Sequence, residues 1–384
     1  MSGGAYAVRM PTHADALDRL IIHDAFTALP PADQDILVLD DATGALTRAA
    51  LDAVADGHRV IVRNARRDQA EHLRQTIGAD GDERLIVVGV DSQLPAAGDF
   101  LPPEEPPLRV SRTLGRLPKS RRGLDQMARS SARVSAEDAV VVLGGNQKHM
   151  SHTMNVVLAE SYREVRGGRG KGKHRCLIAH GPYPGVQRQP VEEIVVPRVG
   201  KLRAIGGVFS GSKADRGGSA LADQAVRLLR DADTEADPIR ILDLGSGNGL
   251  VSLRLAHAAK ERGLPVEITA TDIDLDAVAS SQLTLGPRAR VTWDDAAAAE
   301  ADVSFCMVLL NPPFHEGTRI DRTLVQDLLD AAVRVLKPGG VLVFVHNSHL
   351  RYRPELEARF AETKQLHRDR MFTVLMARSG AHGA

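Results

Sequence analysis

The stretch Ile239-Arg240-Ile241-Leu242-Asp243-Leu244-Gly245-Ser246-Gly247-Asn248-Gly249 decides the fold. Its apolar first half reads as a buried strand. Three glycines at alternate positions follow, and then an amphipathic helix to about Arg262. Glycines there let the backbone approach a ligand at a helix N-terminus, where unpaired N–H groups gather. The spacing Gly-x-Gly-x-Gly differs from the dinucleotide pattern Gly-x-Gly-x-x-Gly. Asp243 stands before the first glycine, where it can meet a positively charged amino-acid portion. The arrangement favours S-adenosylmethionine over a nicotinamide dinucleotide. It makes Asp243, Gly245, Ser246 and Gly247 candidate cofactor contacts.

Working outward, the same β-then-α rhythm continues. Val266 to Thr271 reads as a second strand ending in Asp272-Ile273-Asp274. An acid roughly 20–30 residues past the glycines can accept from both ribose hydroxyls. Asp272 fits that role, with Asp274 as the fallback. A helix over Asp276 to Thr284 leads to a short third strand, Arg290 to Thr292, ending in Trp293-Asp294-Asp295. Either Asp294 or Asp295 could accept from an adenine amino group, and Trp293 could equally be packing. A fourth strand, Phe305 to Leu310, ends in Asn311-Pro312-Pro313-Phe314. The prolines cannot donate to a sheet ladder and restrict the backbone. The Asn311 amide and nearby carbonyls are thereby left to face a ligand, and Phe314 supplies a ring for stacking. A helix over Leu324 to Leu336 stops at Pro338-Gly339-Gly340. Val341 to Val345 and Arg370 to Ala377 read as further strands. Four consecutive strands thus bring four polar clusters to one sheet edge, the edge where parallel sheets bind ligands.

The first half carries a similar rhythm. Leu20 to Asp24 and Ile36 to Asp40 are apolar runs ending in acids. Ala45 to Ala55 and Arg66 to Ile77 read as helices, and Arg59 to Arg63 and Arg84 to Val90 as strands. Alternation at this spacing means a parallel, helix-covered sheet. After Asp40, however, the chain reads Asp41-Ala42-Thr43-Gly44, with one glycine where a cofactor loop wants several. Residues 91 to 108 are proline-rich and read as a long loop. From Arg109 to Arg175 there are fifteen Lys/Arg against five Asp/Glu. One group includes Arg112, Arg116, Lys119, Arg121 and Arg122. The other includes Arg166, Arg169, Lys171 and Lys173, interleaved with glycines. Loose basic contacts of this kind suit a phosphate backbone, because each releases counterions. The two groups flank one expected strand, Ala139 to Leu143. Arg175 to Ala179 reads as the last strand before a Pro- and Val-rich linker, which puts a domain boundary near residue 190.

Composition bounds the rest. The 384 residues suffice for two ordinary domains, and 49 basic residues balance 49 acidic ones. Cys176 and Cys306 are the only cysteines; they form no metal or disulfide pattern, which points to a reduced, cytoplasmic setting. No run of about 20 apolar residues occurs, and the N-terminus lacks a signal-like apolar segment. The reading is therefore a cytoplasmic monomer without metal or membrane partner.

On these residues the chain resembles the bacterial ribosomal RNA guanine-N2 methyltransferases. These are class I S-adenosylmethionine-dependent enzymes with two tandem methyltransferase-like domains. The matching residues are Gly207-Val208-Phe209-Ser210 with Asp215 and Gly217, the Asp243 to Gly249 loop, Asp272, and Asn311-Pro312-Pro313-Phe314-His315-x-Gly317. Asn347 and the terminal Arg370 to Ala377 strand also fit. His23-Asp24-Ala25-Phe26, Leu117-Pro118-Lys119, and Gly144-Gly145 with Lys148 are similar to the family's degenerate first domain. That half and the length favour the large-subunit branch over the small-subunit one. The Gly/Arg/Lys loop and the long Pro-rich loop depart from the family.

The resemblance implies an α/β protein with two tandem Rossmann-like class I methyltransferase domains. The first, 1–190, would be degenerate and RNA-binding; the second, 191–384, catalytic. It implies methyl transfer from S-adenosylmethionine to N2 of a guanine in ribosomal RNA, 23S before 16S. Asn311 and the Pro312 carbonyl would accept from the amine, and Phe314 would stack on the base. His315 would place the base, shed a proton, or make a structural hydrogen bond. Phe209, Asp294 and Asn311 would join the cofactor contacts. Loops of the Asn-Pro-Pro-Phe type also serve adenine-N6 and glutamine-amide methylation. A non-catalytic RNA-binding assembly protein is the reading from a different class.

Overall fold

The computed structural model describes residues 10–27, 33–77, 81–103, 107–230, 238–313 and 322–380. The chain forms two compact units, Met1–Pro190 with Ile205–Gly207, and Val191–Ala204 with Val208–Ala384.

In the first unit, helix α1 (Ala16–Phe26) precedes strand β1 (Asp35–Leu39). The apolar run Leu20 to Ile22 is this helix's buried face. Then come α2 (Ala45–Ala53), β2 (Val60–Arg63), α3 (Arg67–Thr76), β3 (Leu85–Val87), β4 (Val110–Arg116) and α4 (Arg121–Val134). The unit closes with β5 (Ser135–Asn146), α5 (His152–Ala159), β6 (Tyr162–Gly167) and β7 (His174–Pro182). The seven strands lie in the order β3-β2-β1-β4-β5-β7-β6. β1 to β5 run parallel to one another, β7 runs antiparallel to β5, and β6 runs antiparallel to β7.

Several elements here leave no plain mark in the sequence. β4 reads Val-Ser-Arg-Thr-Leu-Gly-Arg, without an apolar run, yet Arg112 and Thr113 are buried within it. α4 begins at the capping residue Ser120, whose hydroxyl accepts from the Gly123 N–H. It buries Leu124, Met127 and Ala128 behind a basic outer face. β6 alternates exposed charges and pairs with β7.

The second unit opens with an antiparallel pair, β8 (Glu192–Val196) and β9 (Gly200–Ala204). It continues through α6 (Arg216–Arg230), β10 (Ile239–Leu244), α7 (Leu250–Arg262), β11 (Val266–Asp272), α8 (Leu275–Leu285) and β12 (Arg290–Trp293). The rest is β13 (Phe305–Leu310), α9 (Arg322–Val335), β14 (Leu336–Asn347), α10 (Arg353–Glu357), β15 (Glu362–Arg368) and β16 (Phe372–Arg378). The strand order is β12-β11-β10-β13-β14-β16-β15, the same path as in the first unit. β15 leaves no plain mark in the sequence, because its largely polar, exposed residues present no apolar face.

The central strands are buried on both sides. Leu242, Val308, Leu310 and Phe344 pack under α9, while Ile241, Leu309 and Val343 pack under α6 and α7. Each such side chain contributes on the order of 2 kcal/mol by leaving water. Both units carry the doubly wound α/β architecture expected from the sequence. No helix of the described residues is long and apolar enough to cross a membrane.

Candidate active site

The register of the central strands sets the site. Leu244, the last residue of β10, pairs with Thr271 on one side and Leu310 on the other. Asp272 and Asn311 therefore each stand one residue beyond the same level, flanking the loop that leaves β10. Gly245, Gly247 and Gly249 all have positive φ, at 80°, 56° and 81°. The N–H groups of Gly245 and Ser246 both donate to the Thr271 carbonyl, which folds the loop back over the sheet edge. A Cβ built on Gly245 or Gly247 would meet nothing within 4 Å, so the loop borders open space. At Gly249, which caps α7, a Cβ would lie 3.3 Å from Leu285 and Ser281.

Acids surround this loop. Asp243 is buried, and its Oδ2 accepts from both the N–H (3.2 Å) and the hydroxyl (2.6 Å) of Ser252. Burial pushes its carboxyl up to about 6; the Ser252 hydrogen bonds work against that, and the Asp272 charge adds to it. A cation placed beside it would favour the charged form of this carboxyl. Asp272 accepts from the Gly247 N–H (2.9 Å) and the Asp274 N–H (2.9 Å). Asp274 itself caps α8, accepting from Asp276 and Ala277, so of the two Asp272 is the one joined to the glycine loop. At the third strand end, Asp294 is buried and accepts from the Ala299 N–H at 3.0 Å. Trp293 is buried, with its indole N–H on the Ile273 carbonyl at 2.8 Å, so its role is packing.

The segment before α6 folds onto the same loop. Asn248 donates through Nδ2 to the carbonyls of Gly211 (2.8 Å) and Lys213 (3.2 Å). That tie holds the Phe209 stretch, where the Phe209 ring is 61% exposed. Asp215 accepts from the Gly218 N–H (2.7 Å) and from Asn311 Nδ2 (3.2 Å). Three contacts went unread in the sequence: Ser252 under Asp243, Asn248 on the Gly211 segment, and Asp215 on Asn311. Each joins residues nine or more positions apart, where no local pattern marks the pair. Phe314 and His315 lie outside the described residues, as does Gly317.

These residues suit S-adenosylmethionine. Gly245 and Gly247 leave room for a ligand against the backbone. Asp243 offers an anion for an ammonium group, and Asp272 and Asp294 offer acceptors at the next two strand ends. Among the described residues no cluster of three or more His, Cys, Asp or Glu is placed to hold a metal ion.

The first unit has the same positions with different occupants. Leu39 pairs with Arg63 and with Gly115, so Asn64 matches Asp272 and Arg116 matches Asn311. Gly44 caps α2 at φ 76°, as Gly249 caps α7. In between, side chains fill the loop. Asp40 takes φ 53°, and its carboxylate accepts from the Ala65 N–H. The Asp41 carboxylate is buried and accepts from Gly44, from the Thr47 N–H and from the Thr47 hydroxyl. Asn64 exchanges hydrogen bonds with the Asp41 backbone. Loop donors that would serve a ligand are satisfied internally.

The basic candidates divide. Arg112 is 4% exposed, with its guanidinium over the Phe26 ring at 5.3 Å, which corrects its reading as an RNA contact. Arg116 is corrected too: it pairs with Asp15 (2.9 Å) and with the fully buried Asp18 (2.6 Å). Arg122 is half-buried, within 3.4 Å of the Pro190 carbonyl. Lys119 and Arg121 are exposed at the start of α4. Arg166, Arg169, Lys171 and Lys173 are all exposed on the β6–β7 hairpin, with Arg163 and Arg175 beside them. Cys176 is buried in β7, where burial raises its thiol pKa.

Residues 200–376 match the family described as Methyltransferase small domain. The chain is 30% identical to a ribosomal RNA large subunit methyltransferase G from Streptomyces avermitilis over 398 aligned positions, covering 97% of each protein. Its counterpart in Shewanella amazonensis is 28% identical over 89% of this chain and 85% of its own. A ribosomal RNA small subunit methyltransferase C from Pseudomonas fluorescens is 34% identical over 48% of this chain and 53% of its own. Among solved structures, the T. thermophilus 16S rRNA N2 methyltransferase, in complex with AdoMet and guanosine, shares the fold. It has a TM-score of 0.71 and 21% identity, over 98% of this chain and 94% of that one.

Proposed function

The chain belongs to the family of ribosomal RNA large subunit methyltransferase G, and on that premise we propose that it methylates the exocyclic N2 of a guanine in 23S ribosomal RNA. The donor is S-adenosylmethionine, and the setting is the cytoplasm. The observation that carries this reading is the place of Asn311. It stands beside the glycine loop, level with Asp272, followed by two prolines that leave its surroundings without ladder donors. Large-subunit RNA is favoured because the alignment to that branch runs nearly end to end, whereas the small-subunit relative matches about half of the chain.

S-adenosylmethionine supplies, when bound, a methyl group already activated on a sulfonium. The protein's task is therefore placement, and no covalent nucleophile is required. Asp243 would hold the ammonium end, the Gly245 to Gly247 backbone the chain next to it, Asp272 the ribose hydroxyls, and Asp294 the adenine amine. Phe209 would cover the cofactor. Asn311 Oδ1 and the Pro312 carbonyl accept hydrogen bonds from the guanine amine. That turns the nitrogen lone pair toward the methyl carbon and offsets the positive charge that develops on nitrogen. As the new bond to nitrogen forms and the bond to sulfur breaks, the nitrogen gives up one proton. His315 is one acceptor for it and solvent the other. Phe314 stacks on a base taken out of its helix. The first unit grips the RNA through the exposed basic residues of α4 and of the β6–β7 hairpin.

Asn311→Ala is expected to lower methyl transfer to ribosomal RNA by at least about 10²-fold, the scale of losing a positioned polar group at the reacting centre. S-adenosylmethionine binding, followed by calorimetry, should survive. Near-normal turnover in Asn311→Ala would sink the assignment. Mass spectrometry of ribosomal RNA from a deletion strain should show one missing methylguanine. A missing methyladenine, or a methylated glutamine lost from a protein, would redirect the acceptor.

A further inference from the structure

We propose that Asp215 is a positioning residue that fixes which end of the Asn311 amide meets the acceptor base. The proposal rests on the reading of Asn311 given above. An amide has a donor end and an acceptor end, and they exchange places by a half turn about the last side-chain bond. Only the acceptor end can receive the hydrogen atoms of an exocyclic amine; the other end would set N–H against N–H. Some neighbour must choose between the two orientations. A carboxylate can only accept. With Asp215 Oδ2 3.2 Å from Asn311 Nδ2, the donor end is claimed and Oδ1 is turned away from the acid.

The surroundings are shaped around this pair. Asp215 Oδ2 also takes the Gly218 N–H at 2.7 Å, and the Asp215 carbonyl accepts from Ser219 at 2.8 Å, so the start of α6 anchors the acid. A Cβ added at Gly217 would lie 3.2 Å from Asp215 Oδ2, 3.2 Å from the Phe372 ring and 3.3 Å from Asn311 Oδ1. A side chain there would crowd both partners at once.

The first unit repeats the arrangement with other residues. Asp15 caps α1, accepting from the Leu17 and Asp18 N–H groups through Oδ1, and its Oδ2 accepts from Arg116 at 2.9 Å. Arg116 follows Gly115 of β4 as Asn311 follows Leu310 of β13, and both preceding residues pair with the end of the first strand. An acid capping the leading helix thus reaches the residue at the C-terminal end of the fourth strand in both units. Where that residue is Arg, the contact is an ion pair and offers no acceptor to a ligand. Where it is Asn, the same contact leaves an oriented carbonyl oxygen.

The plain alternative is that Asp215 only caps α6, and Ser caps a helix as well as Asp does. Asp215→Ser therefore separates the two roles. Its hydroxyl still offers an acceptor to Gly218, but it donates as readily as it accepts, so it no longer chooses between the two ends of the Asn311 amide. The assay uses the full chain, S-adenosylmethionine, and total ribosomal RNA from a deletion strain. For Asp215→Ser, kcat should fall about 30- to 100-fold, short of the loss in Asn311→Ala. KM for S-adenosylmethionine and the thermal midpoint should stay close to those of the parent. A kcat within about twofold of the parent for Asp215→Ser overturns the proposal. So does a loss of kcat that tracks a fall in thermal midpoint. In either event an inactive Asn311→Ala leaves the assigned reaction standing. An active Asn311→Ala would remove the reaction and the proposal together.

Discussion

At the residue scale, Asp243 joins burial to ligand binding. Its folded-state pKa of about 6 lies above the ordinary 3.8. Below about pH 4 the folded and unfolded chains are both protonated there, and the group costs nothing. As pH rises from about 4 to about 6, the folded state keeps a proton that the unfolded state has lost, so this group lowers stability across that interval. A bound ammonium reverses the preference by favouring the anion. S-adenosylmethionine affinity should therefore climb as pH rises through about 6 and then level off, when titrated by calorimetry from about pH 5 to about pH 8. In Asp243→Asn the affinity should drop at least about tenfold and the step near pH 6 should vanish, while the ligand-free protein melts higher at neutral pH. A wild-type affinity that is flat across the interval would mean that the ammonium is not held by Asp243.

At the element scale, the loop after the first strand separates the two units. Gly245 and Asp40 occupy the same place, at φ 80° and φ 53°. The Asp40 carboxylate on the Ala65 N–H shows how a non-glycine residue can live at such an angle. Gly245→Asp should accordingly fold, with a thermal midpoint only a few degrees lower, yet lose S-adenosylmethionine affinity by at least about tenfold, because its side chain enters the open space over the loop. Calorimetry and a melting curve on one preparation test this together; unchanged affinity would mean that the ligand approaches elsewhere. The glycine loop and the four strand ends were legible in the sequence, since apolar runs and glycine spacing are local signals. β4 and α4 were not. Arg112 counts as surface charge in any tally of composition, but its strand is buried and its guanidinium lies over the Phe26 ring. Arg116 likewise reads as a phosphate contact until α1 brings Asp15 and Asp18 to it. Charge shows in a sequence, whereas the partner that neutralises it comes from an element about 100 residues away.

At the scale of the molecule, identical strand orders carry different surfaces. The β6–β7 hairpin bears Arg163, Arg166, Arg169, Lys171, Lys173 and Arg175. The matching β15–β16 hairpin mixes Glu362, Lys364, Arg368 and Asp369. If the first hairpin grips RNA, replacing Arg166, Arg169, Lys171 and Lys173 by Gln should weaken binding to every RNA tested. It should also reduce the slope of log affinity against log salt by about 3. Filter-binding or fluorescence titrations over a range of potassium chloride measure this, and an unaltered slope would make the hairpin a bystander.

The strand order has a consequence for synthesis. In each unit the last strand made lies between two made before it, β7 between β5 and β6, and β16 between β14 and β15. While the chain grows, β6 therefore has no sheet to join until β7 emerges, and the edge of β5 stays open meanwhile. Neither unit can complete itself by adding strands one at a time from its N-terminal end. Each closes in a single late event when its final strand arrives, so a nascent chain halted just short of β7 or β16 is left with an unpaired strand and an open edge, the kind of surface that chaperones bind.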